Sequence, residues 1–107
     1  MKPPKLGSHA RGSVSGRPVM VILDLLGRRW AMRVLWELSI APRSFRELQA
    51  HCENASSSVL NTRLGELREA NLVELGSEGY LLTANGAELM RVIAPLREWA
   101  ETWAAGH

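Results

Sequence analysis

Between Ser56 and Asn71 the chain reads S-S-S-V-L-N-T-R-L-G-E-L-R-E-A-N, and its short polar side chains are the first candidates for chemistry. At helical spacing Leu60, Leu64 and Leu67 share one face, while Ser58, Asn61 and Thr62 point away from it and Ser57 lies nearer the flank. A helix that meets only water usually carries Glu and Lys on its polar side. Hydroxyls and an amide in the first two turns instead suit hydrogen bonding to base edges in a DNA major groove. The spacing therefore predicts a recognition helix with Ser57, Ser58, Asn61 and Thr62 as base readers. A merely solvated polar face is the competing reading.

Phosphate contacts need cations beside such a helix. Arg43 and Arg46 flank the helix before it, where an exposed Arg paired with Glu47 is the alternative. Arg68 is aimed outward. Arg63 sits beside the leucine stripe, so a salt bridge to a nearby Glu and a phosphate contact are both open. Arg28, Arg29 and Arg33 read as part solvated surface and part phosphate steering. Catalysis finds no comparable support. In His51-Cys52-Glu53 adjacent helical side chains diverge by about 100°, so they neither converge on an ion nor form a nucleophile–base pair. No second cysteine completes a metal site, and there is no Gly-rich phosphate loop. The expectation is no enzyme, no metal and no cofactor, with Cys52 a small packing residue.

The elements that must position these groups follow from periodicity and caps. Pro18–Leu26 opens on Pro at the first helical position, closes on Gly27 and is apolar almost all round. So greasy a short helix must touch two layers or a second subunit. Residues 29–40 form the next helix, with Trp30, Val34, Leu35 and Leu38 for the core, and Ala41-Pro42 stops it. Trp36 and Met32 lie four apart and extend the apolar surface. Ser44-Phe45-Arg46-Glu47 matches a capping box and opens a short helix over Phe45–His51. A polar turn then leads to Ser56, the N-cap of the recognition helix, which completes a helix-turn-helix.

Residues 72–75 and 80–82 read as strands around a four-residue tip, Gly76-Ser77-Glu78-Gly79. Thr83 caps a last helical stretch reaching about Ala104, with Leu89, Val92, Ile93, Leu96, Trp99 and Trp103 at helical spacing. Gly86 weakens its start, and Pro95 is expected to kink it or split it. The seam of Leu96, Trp99 and Trp103 is wider than one helix on a small core needs.

At 107 residues and 46% hydrophobic residues the chain suits one globular domain. The expected division is a flexible basic arm, residues 1–17, and a folded domain, residues 18–107. The net charge is only +2, but Lys2, Lys5, Arg11 and Arg17 stand in an arm without an acidic residue. An arm that reaches DNA phosphates competes with a solvated tail. No apolar run approaches a membrane span, no signal-peptide core is present, and one cysteine suits a reducing compartment; the expected location is the cytoplasm.

The order of elements is that of a winged helix-turn-helix, mainly α with a small β-hairpin. L-D-L-L-G-R-R-W (23–30), R-S-F-R-E-L (43–48), V-L-N-T-R-L-G-E-L (59–67), A-N-L-V-E (70–74) and L-T-A-N-G (82–86) resemble the HxlR-type regulators, relatives of the MarR regulators. The resemblance implies a homodimeric transcription factor that dimerises through its first and C-terminal helices and binds double-stranded DNA with recognition helix and wing. On that reading Val19, Ile22, Leu23, Leu96, Trp99 and Trp103 bury one another across a two-fold axis. Two recognition helices about 34 Å apart then favour a palindromic operator, with repression by occupancy.

Departures from the family pattern matter as much. Many members carry Cys-Pro where this chain has Arg17-Pro18, so an oxidant-sensing cysteine is absent there. The wing is short and acidic at Glu78, and Gly65 supplies no phosphate contact. Modest affinity is expected, and insertion of the wing into the minor groove is not. A pocket between the C-terminal helix and the DNA-binding lobe is a place for an aromatic effector of unknown identity. The competing functional reading is a winged-helix module that binds a protein and has little or no specific affinity for DNA.

Overall fold

The computed structural model describes residues 17–107. The arm drawn over residues 1–17 therefore lies, except for Arg17, outside the described residues. Five helices and one hairpin follow in order: α1 (Pro18–Leu26), α2 (Ala31–Ile40), α3 (Phe45–His51), α4 (Ser57–Glu69), β1 (Val73–Gly76), β2 (Gly79–Leu82) and α5 (Ala84–Ala105). This is an α+β winged helix-turn-helix.

The caps account for the boundaries. Ser44 and Glu47 make the reciprocal capping box, with Glu47 N–H donating to Ser44 Oγ at 3.1 Å and Ser44 N–H to Glu47 Oε1 at 2.8 Å. Ser56 Oγ accepts from Val59 N–H at 3.2 Å, and Thr83 Oγ1 from Gly86 N–H at 3.0 Å. The second helix starts at Ala31 rather than at residue 29, because Trp30 takes a left-handed φ of 71° that no helical turn accommodates.

Leucines of α2, α3 and α4 meet in one core: Leu35, Leu48, Leu60 and Leu67 are fully buried, with Leu25, Val34, Cys52 and Leu64 beside them. On α1 Val21 and Leu25 face inward, and Ile22, placed with the dimer-forming residues on sequence grounds, packs against this core as well. It lies three residues before Leu25 and so shares its side of the helix. Val19 and Leu23 remain exposed.

In the hairpin Val73 pairs with Leu82 and Gly76 with Gly79, so the tip is the two-residue turn Ser77-Glu78 instead of four residues. Arg43 adds a lone rung outside these strand pairs, exchanging backbone hydrogen bonds with Tyr80 at 2.8 and 3.0 Å. That rung requires Gly79: its φ is +114°, and a Cβ there would lie 2.5 Å from the Arg43 carbonyl oxygen. Gly86 has a similar purpose, since a Cβ would stand 2.1 Å from the Leu72 oxygen. It weakens α5 locally but lets the helix press against the start of the wing.

α5 is a single helix that runs through Pro95; of the kink or split expected there, the split does not occur. Leu89 and Met90 still reach the core. Farther along Val92, Leu96, Trp99 and Trp103 are all exposed, and the two indoles stack with centroids 6.0 Å apart.

Candidate nucleic-acid interface

The turn between α3 and α4 is held by backbone geometry that only a few residues reach. Glu53 and Asn54 both take positive φ, 54° and 57°, and Asn54 N–H donates to the Gln49 carbonyl at 2.8 Å. The Gln49 amide then reaches across to the Ala55 carbonyl at 2.9 Å and to Ser57 Oγ at 3.4 Å. These bonds fix the crossing of the two helices and point the first turn of α4 into solvent.

With its leucines buried, α4 presents Ser57, Ser58 and Asn61 outward and Thr62 half-buried at the edge. Ser57 is engaged by Gln49, while Ser58, Asn61 and Thr62 have no side-chain hydrogen bond among the described residues. Their donors and acceptors are open to an external partner.

The arginines divide sharply. Arg46 on α3 and Arg68 on α4 are exposed and make no ion pair among the described residues. Arg63, expected among the phosphate contacts, is committed elsewhere: Nη1 meets Glu66 at 2.6 Å and Nε donates to the Arg29 carbonyl at 2.6 Å. Its side chain is only 13% exposed, so the salt-bridge reading is the one realised. Arg43 leans on Glu37 at 3.6 Å and is largely covered. Of the other cations, Arg28 bridges Asp24 and Glu66 at 2.9 and 2.7 Å, and Arg33 pairs with Glu37 at 3.1 Å. Arg29 stays outside, its guanidinium 5.1 Å from the centre of the Trp30 ring.

Two buried carboxylates missed by sequence reasoning thus organise the lobe. Glu37 collects Arg33, Arg43 and His51, the last at 3.5 Å, and Glu66 collects Arg28 and Arg63. A signal was available: Glu37 falls three residues after Val34, and Glu66 lies between Leu64 and Leu67, so both occur within apolar stripes. A carboxylate buried there needs cations beside it to offset its lost hydration.

Backbone and side-chain hydrogen bonds from Ser44, helped by the charges of Arg43 and His51, hold the Glu47 carboxyl below its ordinary value. Burial pushes the Cys52 thiol up, which suits a packing role. Among the described residues no group of His, Cys, Asp and Glu side chains could hold a metal ion. No described helix is long and apolar enough to cross a membrane.

Residues 25–107 match the model of the HxlR-like helix-turn-helix proteins. The chain belongs to that family. HxlR-type proteins are non-enzymatic transcriptional regulators, and this chain is accordingly a DNA-binding regulator in class. Among its relatives is the HTH-type transcriptional regulator YodB of Bacillus subtilis, 29% identical over 85 residues, 73% of this chain and 76% of YodB. The HTH-type regulator YvaP of the same organism is 28% identical over 88 residues, covering 76% and 82%. An HTH-type regulator of Methanocaldococcus jannaschii is 26% identical over 88 residues, covering 78% and 83%. The crystal structure of quinone-bound YodB superimposes with a TM-score of 0.70 at 31% identity, over 76% of this HxlR-type chain and 92% of YodB.

Proposed function

We propose that this HxlR-type regulator acts as a homodimeric repressor that occupies a palindromic operator and reads it with Ser58, Asn61 and Thr62, with Ser57 at the flank. The observation that carries the reading is the outer face of α4, where Ser58, Asn61 and Thr62 make no side-chain hydrogen bond among the described residues. Arg46 and Arg68 supply the phosphate contacts, with Arg29 nearby. Val19 and Leu23 on α1 and Leu96, Trp99 and Trp103 on α5 form the interface between copies; each is more than half exposed in the single chain. A two-fold axis through that surface sets the recognition helices about 34 Å apart, one turn of DNA.

A small-molecule effector is part of the proposal. YodB binds a quinone, and here a groove of about 950 Å³ between α2 and α5, lined by Met32, Trp36, Met90 and Ile93, has the size and lining for a planar aromatic compound. Residue 17 is Arg, and Cys52, the one cysteine, is buried with a raised pKa, so the effector binds without a thiol adduct.

Selection from random duplexes tests the reading: an enriched palindrome is expected, with one half-site per turn of DNA. Affinity should fall with salt at a slope of roughly −4 on logarithmic axes, the counterions displaced by Arg46 and Arg68 of two copies. The second reading, a module for a protein partner, is favoured by the wing, where Glu74 and Glu78 stand exposed and make no ion pair among the described residues. No retention on mixed-sequence DNA at low salt, together with capture of one defined protein, would establish it instead.

A further inference from the structure

A chain of charge-assisted hydrogen bonds runs from α1 to the recognition helix. Asp24 of α1 holds Arg28 Nη2 at 2.9 Å, and Arg28 Nη1 reaches Glu66 Oε2 of α4 at 2.7 Å. The other oxygen of Glu66 takes Arg63 Nη1 at 2.6 Å, and Arg63 Nε donates at 2.6 Å to the carbonyl of Arg29, the residue after Arg28. The side chains are 5%, 11%, 0% and 13% exposed in the order Asp24, Arg28, Glu66, Arg63. We propose that this chain positions the recognition helix: it fixes the rotation and tilt of α4 relative to α1, and so the separation of the two DNA-reading faces in the dimer.

Apolar packing alone does not fix that angle. Leu60, Leu64 and Leu67 are held by burial, which is proportional to area and has no direction, whereas each bond to Glu66 has a required length and line. Both oxygens of Glu66 are used, one by Arg28 of the α1–α2 turn and the other by Arg63 within α4. Arg63 in turn reaches the Arg29 carbonyl of that turn, so α4 cannot roll without breaking the bond to Arg28 or the bond to Arg29. Buried ion pairs are often no better for stability than apolar groups of the same shape. What this one supplies is geometry. Because α1 also carries Val19 and Leu23 at the interface proposed above, any play between α1 and α4 is doubled across the two-fold axis. The inference therefore rests on the dimeric DNA-binding reading and names the residues that set its spacing.

Spin labels at Ser58→Cys read the separation directly, since Cys52 is buried and is not labelled. In the labelled parent a single narrow distance is expected from electron–electron dipolar coupling. Arg28→Met should widen that distribution about twofold, freeing α4 beyond the roughly 10–20° that a positioned site tolerates. In the unlabelled protein the preference for operator over random DNA should fall about tenfold, with random binding unchanged. Asp24→Ala, which removes the acceptor at the α1 end only, should move both readouts the same way by less, and decides the matter if Arg28→Met does not fold. A folded, dimeric variant with unchanged width and unchanged preference overturns the positioning role, even if its melting temperature drops. Absence of any dipolar signal from the labelled parent instead removes the dimer, and the inference with it.

Discussion

On α4 the leucines are sealed inside and the small polar groups are bare, while beyond Ala94 on α5 the order is reversed: Leu96, Trp99 and Trp103 stand in solvent. Both surfaces are incomplete in the single chain, but in different currencies. On the α4 face Ser58, Asn61 and Thr62 lack hydrogen-bond partners among the described residues, which water can supply at little cost, so the face tolerates waiting for a ligand. The α5 face lacks contact with apolar atoms, for which water is a poor substitute at about 25 cal/mol per Å². A polar face of that kind suits a partner that comes and goes. An apolar face with two stacked indoles suits one that stays.

The largest test of the contrast strikes the apolar face. Leu96→Glu combined with Trp103→Ala should leave the fold intact, because neither side chain belongs to the core. Each removes an anchor of the size that commonly carries about 2 kcal/mol or more of an interface. Dimerisation should weaken by roughly a thousandfold, the product of two such losses. Sedimentation at micromolar concentration should then find monomers, and operator affinity should collapse with them. A variant that remains dimeric would move the interface elsewhere.

The polar face is tested with smaller strokes. Asn61→Ala removes an amide able to make a bidentate contact, worth about 1–3 kcal/mol of discrimination, or roughly 5- to 150-fold in operator affinity. Binding to random duplexes should stay the same, since phosphate contacts by Arg46 and Arg68 are untouched. Equal losses on both DNAs would take Asn61 out of base reading and leave the contrast between the faces without its functional half.

The same contrast explains what could be read from the sequence. Caps and leucine spacing are local, so the ends of α1 and α3, the Ser56 and Thr83 caps and the inward face of α4 were legible from Pro18, Ser44 and Leu60-Leu64-Leu67. Long-range pairing was not. Arg63 and Arg43 look like any surface arginine until Glu66 and Glu37 are found beneath them, and those partners are set by tertiary packing rather than by neighbours in the chain. That Ile22 packs against the core could not be read, because an almost wholly apolar helix gives no polar side by which to orient it. Gly86 looked like a flaw until the approach of Leu72 gave it a reason, and Pro95 ends no helix here.

The smallest test concerns the entry to the helix-turn-helix itself, which both readings of the polar face need intact. Ser44→Ala removes the N-cap of α3 and should cost about 1 kcal/mol in denaturant titrations. Its signature in pH is more telling. The Glu47 carboxyl is held below its ordinary value by the backbone N–H and then the side chain of Ser44, so its stabilising effect is fully present above the unfolded-chain value. That contribution is lost as pH falls through the lowered folded value, where protonation removes the charge that strengthens the bond. Stability of the parent should therefore decline over the acid side of the ordinary carboxylate range more steeply than that of Glu47→Gln, which has no proton to take up. Ser44→Ala should fall between them, having lost one of the two bonds. Parallel pH curves for all three proteins would mean that the capping box is formed equally in the unfolded chain, or contributes nothing to holding α3 beneath the recognition helix.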